Sequence, residues 1–262
     1  MPDATRLSDY VGVVATAWPG SFGRAAVRLH EGRDHDVVLL GEEAAFRFPR
    51  TQRALDALPR EVAALAELDD ADPKVDVVLP EVLVDCSDNT LGRAFVAQRF
   101  LEGEPLPKAS VDAVGPMAYR FAAELARVLD CLAAVTITPD LERVLTRAPL
   151  RRTWDELAEL CGPEAHDAFA AVRALDTPPP ALTHGDFCGA NLRWDADETR
   201  LTGVLDWAQV HLGDPAYDIA SIADTYGWDL AETVSAAMTN DDPGITPRAR
   251  AYAATFPFQR AL

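Results

Sequence analysis

The sequence predicts an α+β protein of two lobes. An antiparallel five-stranded sheet with one long helix comes first, and a mainly helical lobe follows. Three observations carry this prediction. Short β-patterned runs separated by turn residues crowd the first hundred positions of the 262-residue chain. A single long amphipathic pattern interrupts them at Thr51–Leu68. Beyond a Gly- and Pro-rich break at Leu101–Pro107 the apolar spacing becomes helical almost throughout. The boundary falls near residue 102, giving lobes of 1–102 and 103–262.

Taken in order, Ser8–Ala17 reads as a short helix capped by Ser8 and ended by Trp18-Pro19-Gly20. Arg24–Leu29, Asp36–Leu40 and Ala44–Phe48 read as strands, with turns at Glu31–Asp34 and Gly41 between them. In Thr51–Leu68, Leu55, Leu58, Val62, Leu65 and Leu68 recur at three- and four-residue intervals, the stripe of an amphipathic helix. Pro59 lies inside it and is expected to kink or divide it. Glu81–Cys86 and Ala94–Arg99 complete the five strands. In the second lobe Pro116–Ala134 is helical with Pro116 in the first turn, and Thr153–Glu156 forms a capping box that opens another helix. Pro163–Leu175 gives a third helix. Pro178–Pro180 then leads stiffly into Leu182. Asp214-Pro215 caps a helix to about Thr225, Asp229 with Glu232 caps one more, and the last runs from Pro247 to the end. The chain stops in PFQRAL without a polar tail, as a shortened chain would.

Composition excludes several classes. Hydrophobic residues make up 48% and charged residues 25%, ordinary for a globular protein. No apolar run approaches the roughly 20 residues that span a bilayer, and MPDATRLSDY lacks the basic-then-apolar pattern of a secretory leader. Cys86, Cys131, Cys161 and Cys188 are scattered without C-x-x-C spacing, which argues against a zinc site or disulfide framework. A cytoplasmic monomer or weak dimer is the expectation. With 24 Lys and Arg against 42 Asp and Glu, the net charge of −18 repels nucleic acid and anionic membranes and attracts cationic partners. The same acidity also serves solubility.

The richest stretch is Thr183–Asp206. His184, Asp186 and Asn191 form an H-G-D-x-x-x-x-N string, and Asp206 ends the strand-like run Leu201–Leu205. Leu192–Trp194 and Leu201–Leu205 should pair as a hairpin around the polar turn Asp195–Arg200, bringing Asn191 beside Asp206. Phosphoryl transfer needs such a set. One carboxylate orients the attacking hydroxyl, while an amide and a second carboxylate hold Mg2+ on the nucleotide phosphates. The Asp186–Asn191 spacing is that of the catalytic Asp and metal-binding Asn in protein kinases. A polar turn in which Asn and Asp merely cap would use fewer of these coincidences.

THGDFCGAN, GVLDW and GDPAYDIA (Gly213–Ala220) together resemble the aminoglycoside phosphotransferase family, which includes macrolide kinases and shares the bilobal protein-kinase fold. The resemblance covers nearly the whole chain and is weak for substrate. It implies that Asp186 accepts or orients the acceptor proton, that Asn191 and Asp206 hold Mg2+, and that His184 braces the catalytic loop. Asp214 would cap the next helix, and Asp218 would brace the loop from one turn on. Phe187-Cys188 departs from the commoner Leu-His. Cys188 reads as a bystander, because phosphoryl transfer needs no covalent intermediate.

Kinases also place a cation, usually lysine, on the third strand, paired to a glutamate on the next helix. Lys74 and Lys108 are the only lysines, and neither is suitably placed. Arg47, alternating with apolar neighbours as in a half-buried strand, takes the position, with Glu61 as its partner. Arg50 as the phosphate ligand, with Arg47 in a surface pair, is the other possibility. Glu31–His35 lies where the family covers phosphates with backbone amides. Gln98, Arg99, Phe100 and Leu101 form the hinge on which the base of ATP or GTP lies.

Acceptor recognition falls to the helical lobe. Acidic residues gather at Asp155, Glu156, Glu159, Glu164 and Asp167, and again at Asp224, Asp229, Glu232, Asp241 and Asp242. Of these, Asp155, Glu159 and Asp224, with Tyr226 and Trp228, are the candidates to hold a cationic acceptor, and Trp154 could stack on it as well. Solvated helix faces would carry the same charges. The expected reaction is transfer of a γ-phosphoryl group to a hydroxyl of an aminoglycoside-like or other natural-product antibiotic. A metabolic kinase of an amino alcohol, sugar or nucleoside remains open. So does a catalytically silent binding protein, for which Arg47 in place of lysine is the only support. A protein kinase is disfavoured because no Asp-Phe-Gly or Ala-Pro-Glu segment is present.

Overall fold

The computed structural model describes residues 4–20, 26–105, 118–146, 153–195, 200–240 and 242–261. Pro116, Asp241, part of the Asp195–Arg200 turn and the start of the Arg24–Leu29 strand lie outside these residues.

Five antiparallel strands form the N-terminal sheet: β1 (Val27–Glu31), β2 (His35–Leu40), β3 (Ala44–Pro49), β4 (Val82–Asp85) and β5 (Val96–Arg99), in the order β1-β2-β3-β5-β4. Helix α1 (Ala4–Ala17) begins earlier than Ser8 suggests. Tertiary contact explains its length. Tyr10 stacks on Phe48 with ring centroids 4.0 Å apart, Val14 is buried among Leu29, Val38 and Phe46, and Tyr10 Oη donates to Asp36 at 2.9 Å. One face of the sheet is thereby covered.

Helix α2 (Gln52–Asp69), capped by Thr51 accepting from the Ala54 N–H, serves the other face. Of the kink or division expected at Pro59, division does not occur: the helix is continuous across the proline. Packing on both sides outweighs the lost hydrogen bond, because Leu55, Leu58, Ala64, Leu65 and Leu68 are all buried. Arg60 secures the helix to the C-terminal part by donating to the Ala208 (3.0 Å), Leu145 (3.2 Å) and Val210 carbonyls. Covered on both faces, β3 buries Arg47 as well as Phe46 and Phe48, so it is not the half-buried strand its alternation suggested.

The C-terminal part is built on α3 (Ala118–Ala134), α4 (Pro139–Thr146), α5 (Trp154–Cys161), α6 (His166–Arg173), α7 (Ala216–Tyr226), α8 (Trp228–Ala237), α9 (Ile245–Ala253) and α10 (Phe256–Arg260). The Thr153–Glu156 capping box is formed. The single helix expected over Pro163–Leu175 is a 3-10 turn leading into α6, and the one from Pro247 is divided into α9 and α10. Asp229 is not a cap: Gly227 occupies the position before α8, and no side chain caps it. Almost every residue of α7 is buried, so this helix is the axis of the lobe. Arg248 holds the chain that leads into it, donating to both oxygens of Asp214 (2.7 and 3.1 Å) and to Asp242. The larger core runs from these helices into Ala64, Leu65 and Leu68 of α2.

Two small sheets lie between the helices and the N-terminal sheet. Strands β7 (Leu192–Asp195) and β8 (Arg200–Val204) form the expected hairpin. Strands β6 (Ala181–Thr183) and β9 (His211–Gly213) pair across the intervening segment. Glu104 bridges Trp194, and Val78 bridges Gly203, which ties both crossings from the N-terminal part to the hairpin. Among the described residues no helix is long and apolar enough to cross a membrane.

Candidate active site

The segment after β6 turns sharply at Gly185. Its φ of +82° is left-handed, and a Cβ there would sit 2.4 Å from the Gln209 carbonyl oxygen, so glycine is required. The turn is clamped by Asp218 of α7, only 1% exposed, which accepts from the N–H groups of His184 (2.8 Å) and Gly185 (2.9 Å). Replacing Asp218 by alanine strands both N–H groups. A loss of roughly 1–3 kcal/mol for each is expected in urea unfolding. Unchanged stability would mean that the loop does not depend on this clamp.

His184 is wholly buried behind the loop. The Asp186 N–H donates to Nδ1 at 3.2 Å, so the proton resides on Nε2, which donates to the Leu205 carbonyl at 3.1 Å. The ring joins the catalytic loop to the end of β8 and meets Trp207 edge-on at 4.7 Å. It is a positioning group and does not face the cleft. Burial lowers its pKa to about 4, and His35, also buried, is lowered to about 4 chiefly by burial and then by Arg47. Both folded values lie below the ordinary 6.5, so the unfolded chain takes up protons first as pH falls. Stability therefore holds its full value above pH 6.5 and falls toward pH 4, at up to about 1.4 kcal/mol per pH unit per histidine. Urea midpoints at pH 7, 6 and 5 test this, and a flat profile would contradict it.

Asp186 has its Oδ2 held by the Asn191 amide at 2.9 Å, and the same amide nitrogen donates to the Asp186 carbonyl at 2.9 Å. Burial, and then the Asp206 charge, hold its carboxyl above the usual range. Because Asn191 uses its side-chain nitrogen on Asp186, its side-chain Oδ1 is the atom left for a metal. The Leu205 N–H donates to the main-chain carbonyl of Asn191 at 2.8 Å, so the hairpin does set Asn191 beside the chain leading to Asp206. Asp206 has a φ of +59°, the one non-glycine residue with positive φ among those described. A strained residue of this kind persists where the surroundings over-determine it, commonly at a functional site.

Across the cleft, Arg47 is 7% exposed and Glu61 1%. Arg47 pairs with Glu61 through Nη1 and with Asp206 Oδ1 through Nη2 at 2.9 Å. The Trp207 N–H also donates to Glu61, at 3.3 Å. Burial opposes the charge on Asp206, but the Arg47 guanidinium more than offsets it and holds its carboxyl below the usual range. Arg50 is not the phosphate-facing cation. Its Nη1 donates to the Gly32 carbonyl at 2.5 Å and its Nε lies 3.6 Å from Asp36. Arg47 is correspondingly not in a surface pair.

Beneath Asp186 opens a cavity of about 410 Å³. Its lining includes Asp34, Asp186 and Asp224, but also Arg33, Arg53 and Arg260 with Tyr217 and Phe256. Of the expected acceptor residues only Asp224 reaches it, and Arg260 pairs with that carboxylate at 2.6 Å. Asp155 and Glu159 do not line it: Asp155 is 78% exposed and bound to Arg173, and Glu159 lies on an exposed face. Nor does Trp228, whose ring is covered by Arg250 at 4.1 Å. Tyr226 is buried against Gly189, beneath the catalytic loop. Trp154 packs with Phe169, Tyr217 and Tyr252. Helix periodicity separates charged faces from apolar ones but does not say which charged face meets the cleft. Arg33, Arg53 and Arg260 gave no signal as cavity residues, since an isolated arginine has no motif. Cys188 lines the cavity, yet burial and Asp186 push its thiol up to about 11, which suits a bystander.

At the hinge, Arg99 points outward to Glu81 (Nε–Oε2 2.5 Å). The N–H groups of Arg99 and Phe100 are taken by the Glu81 (2.8 Å) and Glu43 (3.1 Å) carbonyls. Gln98 is buried with its side-chain nitrogen unpaired, and Leu101 packs toward Gly203.

A catalytic loop clamped by a helix carboxylate, a paired Asp and Asn on a hairpin, and a strand cation bound to a helix glutamate define one arrangement. The sequence pattern of the phosphotransferase enzyme family (APH) matches residues 25–252. The chain belongs to this family. Viomycin phosphotransferase of Streptomyces vinaceus is 31% identical to this phosphotransferase over 249 residues, covering 89% of this chain and 85% of that protein. The GDP and kanamycin complex of APH(2")-IIIa superposes with a TM-score of 0.72 at 22% identity, over 96% of this chain and 89% of that one. Macrolide 2'-phosphotransferase MphH of Brachybacterium faecium gives 0.70 at 22% identity, over 97% and 91%. At these identities the structures speak to the fold, a five-stranded sheet followed by a helical part as in the antibiotic kinases.

Proposed function

We propose that this phosphotransferase moves the γ-phosphoryl group of ATP or GTP to a hydroxyl of a small natural-product antibiotic, of the viomycin or aminoglycoside kind, bound in the cavity below Asp186. The observation that supports it most is the position of the Asp186 carboxylate. It lines the cavity on one side and is fixed by Asn191, beside Asp206, on the other. A hydroxyl in the cavity hydrogen-bonds Asp186, whose raised pKa makes it a stronger proton acceptor than an ordinary carboxylate. A cationic acceptor meets Asp34, Asp186 and Asp224, while the three arginines restrict where its cationic groups lie.

The donor set fits Mg2+. Magnesium takes one or two carboxylate ligands and completes its octahedron with waters and phosphate oxygens. Asp206 and the side-chain Oδ1 of Asn191 would supply such a pair without a closed protein cage. Mg2+ bound there neutralises charge on the transferring phosphoryl group. Arg47 gives one N–H group to Glu61 and one to Asp206, leaving its remaining donors for phosphate oxygens. The base lies at the hinge against the backbone of Leu101, since the Arg99 and Phe100 N–H groups are used within the sheet. Catalysis rests on placing the hydroxyl in line and on electrostatic stabilisation, with no covalent intermediate.

Incubation with Mg-ATP or Mg-GTP and a panel including viomycin, kanamycin and a macrolide tests this by mass spectrometry. The expected product is heavier by one phosphoryl group and disappears with Asp186→Ala. Tight antibiotic binding without turnover under either nucleotide would establish a silent binding protein instead.

A further inference from the structure

His35 stands in the roof of the cleft without an assigned role. It opens β2 directly after the Gly32–Asp34 turn. The register pairs His35 with Pro49 and Val37 with Arg47, so His35 and Arg47 share a face of the sheet. The opposite face, carrying Asp36, Val38 and Leu40, is the one α1 covers. His35 is therefore turned toward the cleft. It is 8% exposed, and its Nε2 has no hydrogen-bond partner. An unpaired buried ring nitrogen is costly and calls for an explanation.

The neighbours of the ring supply one. Burial depresses its protonation most, and the next influences are the charges of Arg47, which lowers it, and Asp206, which raises it. Asp36, on the far face, adds a smaller upward pull. The ring is thus within electrostatic reach of both the strand cation and the metal-site carboxylate. Adjacent Asp34 is near enough to Asp186 to raise its carboxyl. Arg47, Asp206 and Asp186 bound the space that the donor's terminal phosphate occupies if a hydroxyl at Asp186 is to reach it.

The glycine of the turn offers no N–H to that phosphate. The Gly32 N–H donates to the His35 carbonyl at 3.0 Å, and a Cβ on Gly32 would lie 2.5 Å from that oxygen. The Arg50 N–H and Nη1 close the turn further on the Asp34 and Gly32 carbonyls. Part of the backbone cover expected from the sequence is thus spent internally at Gly32, and a side chain at the end of the turn can add to what remains.

We propose that His35 is a ligand of the nucleotide's terminal phosphate, its Nε2–H donating to a non-bridging oxygen. The buried, preorganised donor is unpaired until the phosphate arrives, and it supplements Arg47 at the group being transferred. The inference rests on the phosphotransferase reading above.

Affinities for a non-hydrolysable ATP or GTP analogue and for ADP or GDP, measured with Mg2+ by calorimetry, test it in the intact chain. His35→Leu is expected to lower the preference for triphosphate over diphosphate by about 10–100-fold. Its ligand-free melting temperature should equal or exceed the parent's, because the substitution removes an unpaired nitrogen. His35→Gln, which keeps an N–H donor, is expected to recover part of the preference. An unchanged preference overturns the proposal, as does a His35→Leu protein that melts well below the parent or weakens both nucleotides equally, the signs of a structural histidine. Wild-type protein that binds neither nucleotide would instead overturn the phosphotransferase reading, and this proposal with it.

Discussion

Asp186→Asn is expected to reduce turnover by about 10²–10⁴-fold while making the folded chain more stable. Both effects have one cause. The carboxylate is buried beside Asp206, and its pKa is raised because the fold disfavours its charge. The unfolded chain leaves the group in water, so the folded state alone carries that penalty. An amide of the same shape removes it and can still meet Asn191, but cannot take a proton from the acceptor hydroxyl. Steady-state kinetics should show the loss in kcat with little change in the nucleotide KM. Thermal melting of the ligand-free protein should show a higher midpoint. Full activity would remove Asp186 from the chemistry, and a lower midpoint would mean that its hydrogen bonds outweigh its burial.

Arg47→Ala is expected to cost about 3–5 kcal/mol of stability and most of the nucleotide affinity. Glu61 is almost wholly buried and faces Arg47, so truncation leaves a carboxylate with no compensating charge. Asp206, no longer neutralised by the guanidinium, becomes harder to hold beside Asp186. Arg47→Lys should be milder. One ammonium keeps the charge and can serve Glu61, but it lacks the fork that spans Glu61 and Asp206 together. Urea unfolding and nucleotide calorimetry on the two variants separate these roles. An alanine variant as stable as the parent would show that Glu61 is protonated or hydrated when alone. A lysine variant binding nucleotide better than the parent would mark arginine as a compromise between stability and affinity.

The catalytic stretch was legible because its information is local. The Asp186–Asn191 spacing and the two β-patterned runs before Asp206 lie within one hairpin, and short-range geometry carries them into place. Arg47 and Glu61 were legible for a related reason, since a strand and the helix that follows it must pack together. The lining of the cavity was not. Asp155, Glu159 and Trp228 have suitable chemistry, but they lie on helix faces that turn to solvent or to arginine partners.

By itself the sequence determined the α+β plan, the family and the candidate residues for phosphoryl chemistry, because periodicity, turn residues and motif spacing are properties of neighbouring positions. Only the tertiary structure decided the rest. Burial on both sides keeps α2 whole across Pro59, Asp218 reaches back to clamp Gly185, and Arg33, Arg53 and Arg260 enter a cavity expected to be acidic. It also left His35 Nε2 buried and unpaired. Each of these depends on which distant segments meet, and that is settled when the whole chain closes around a shared core.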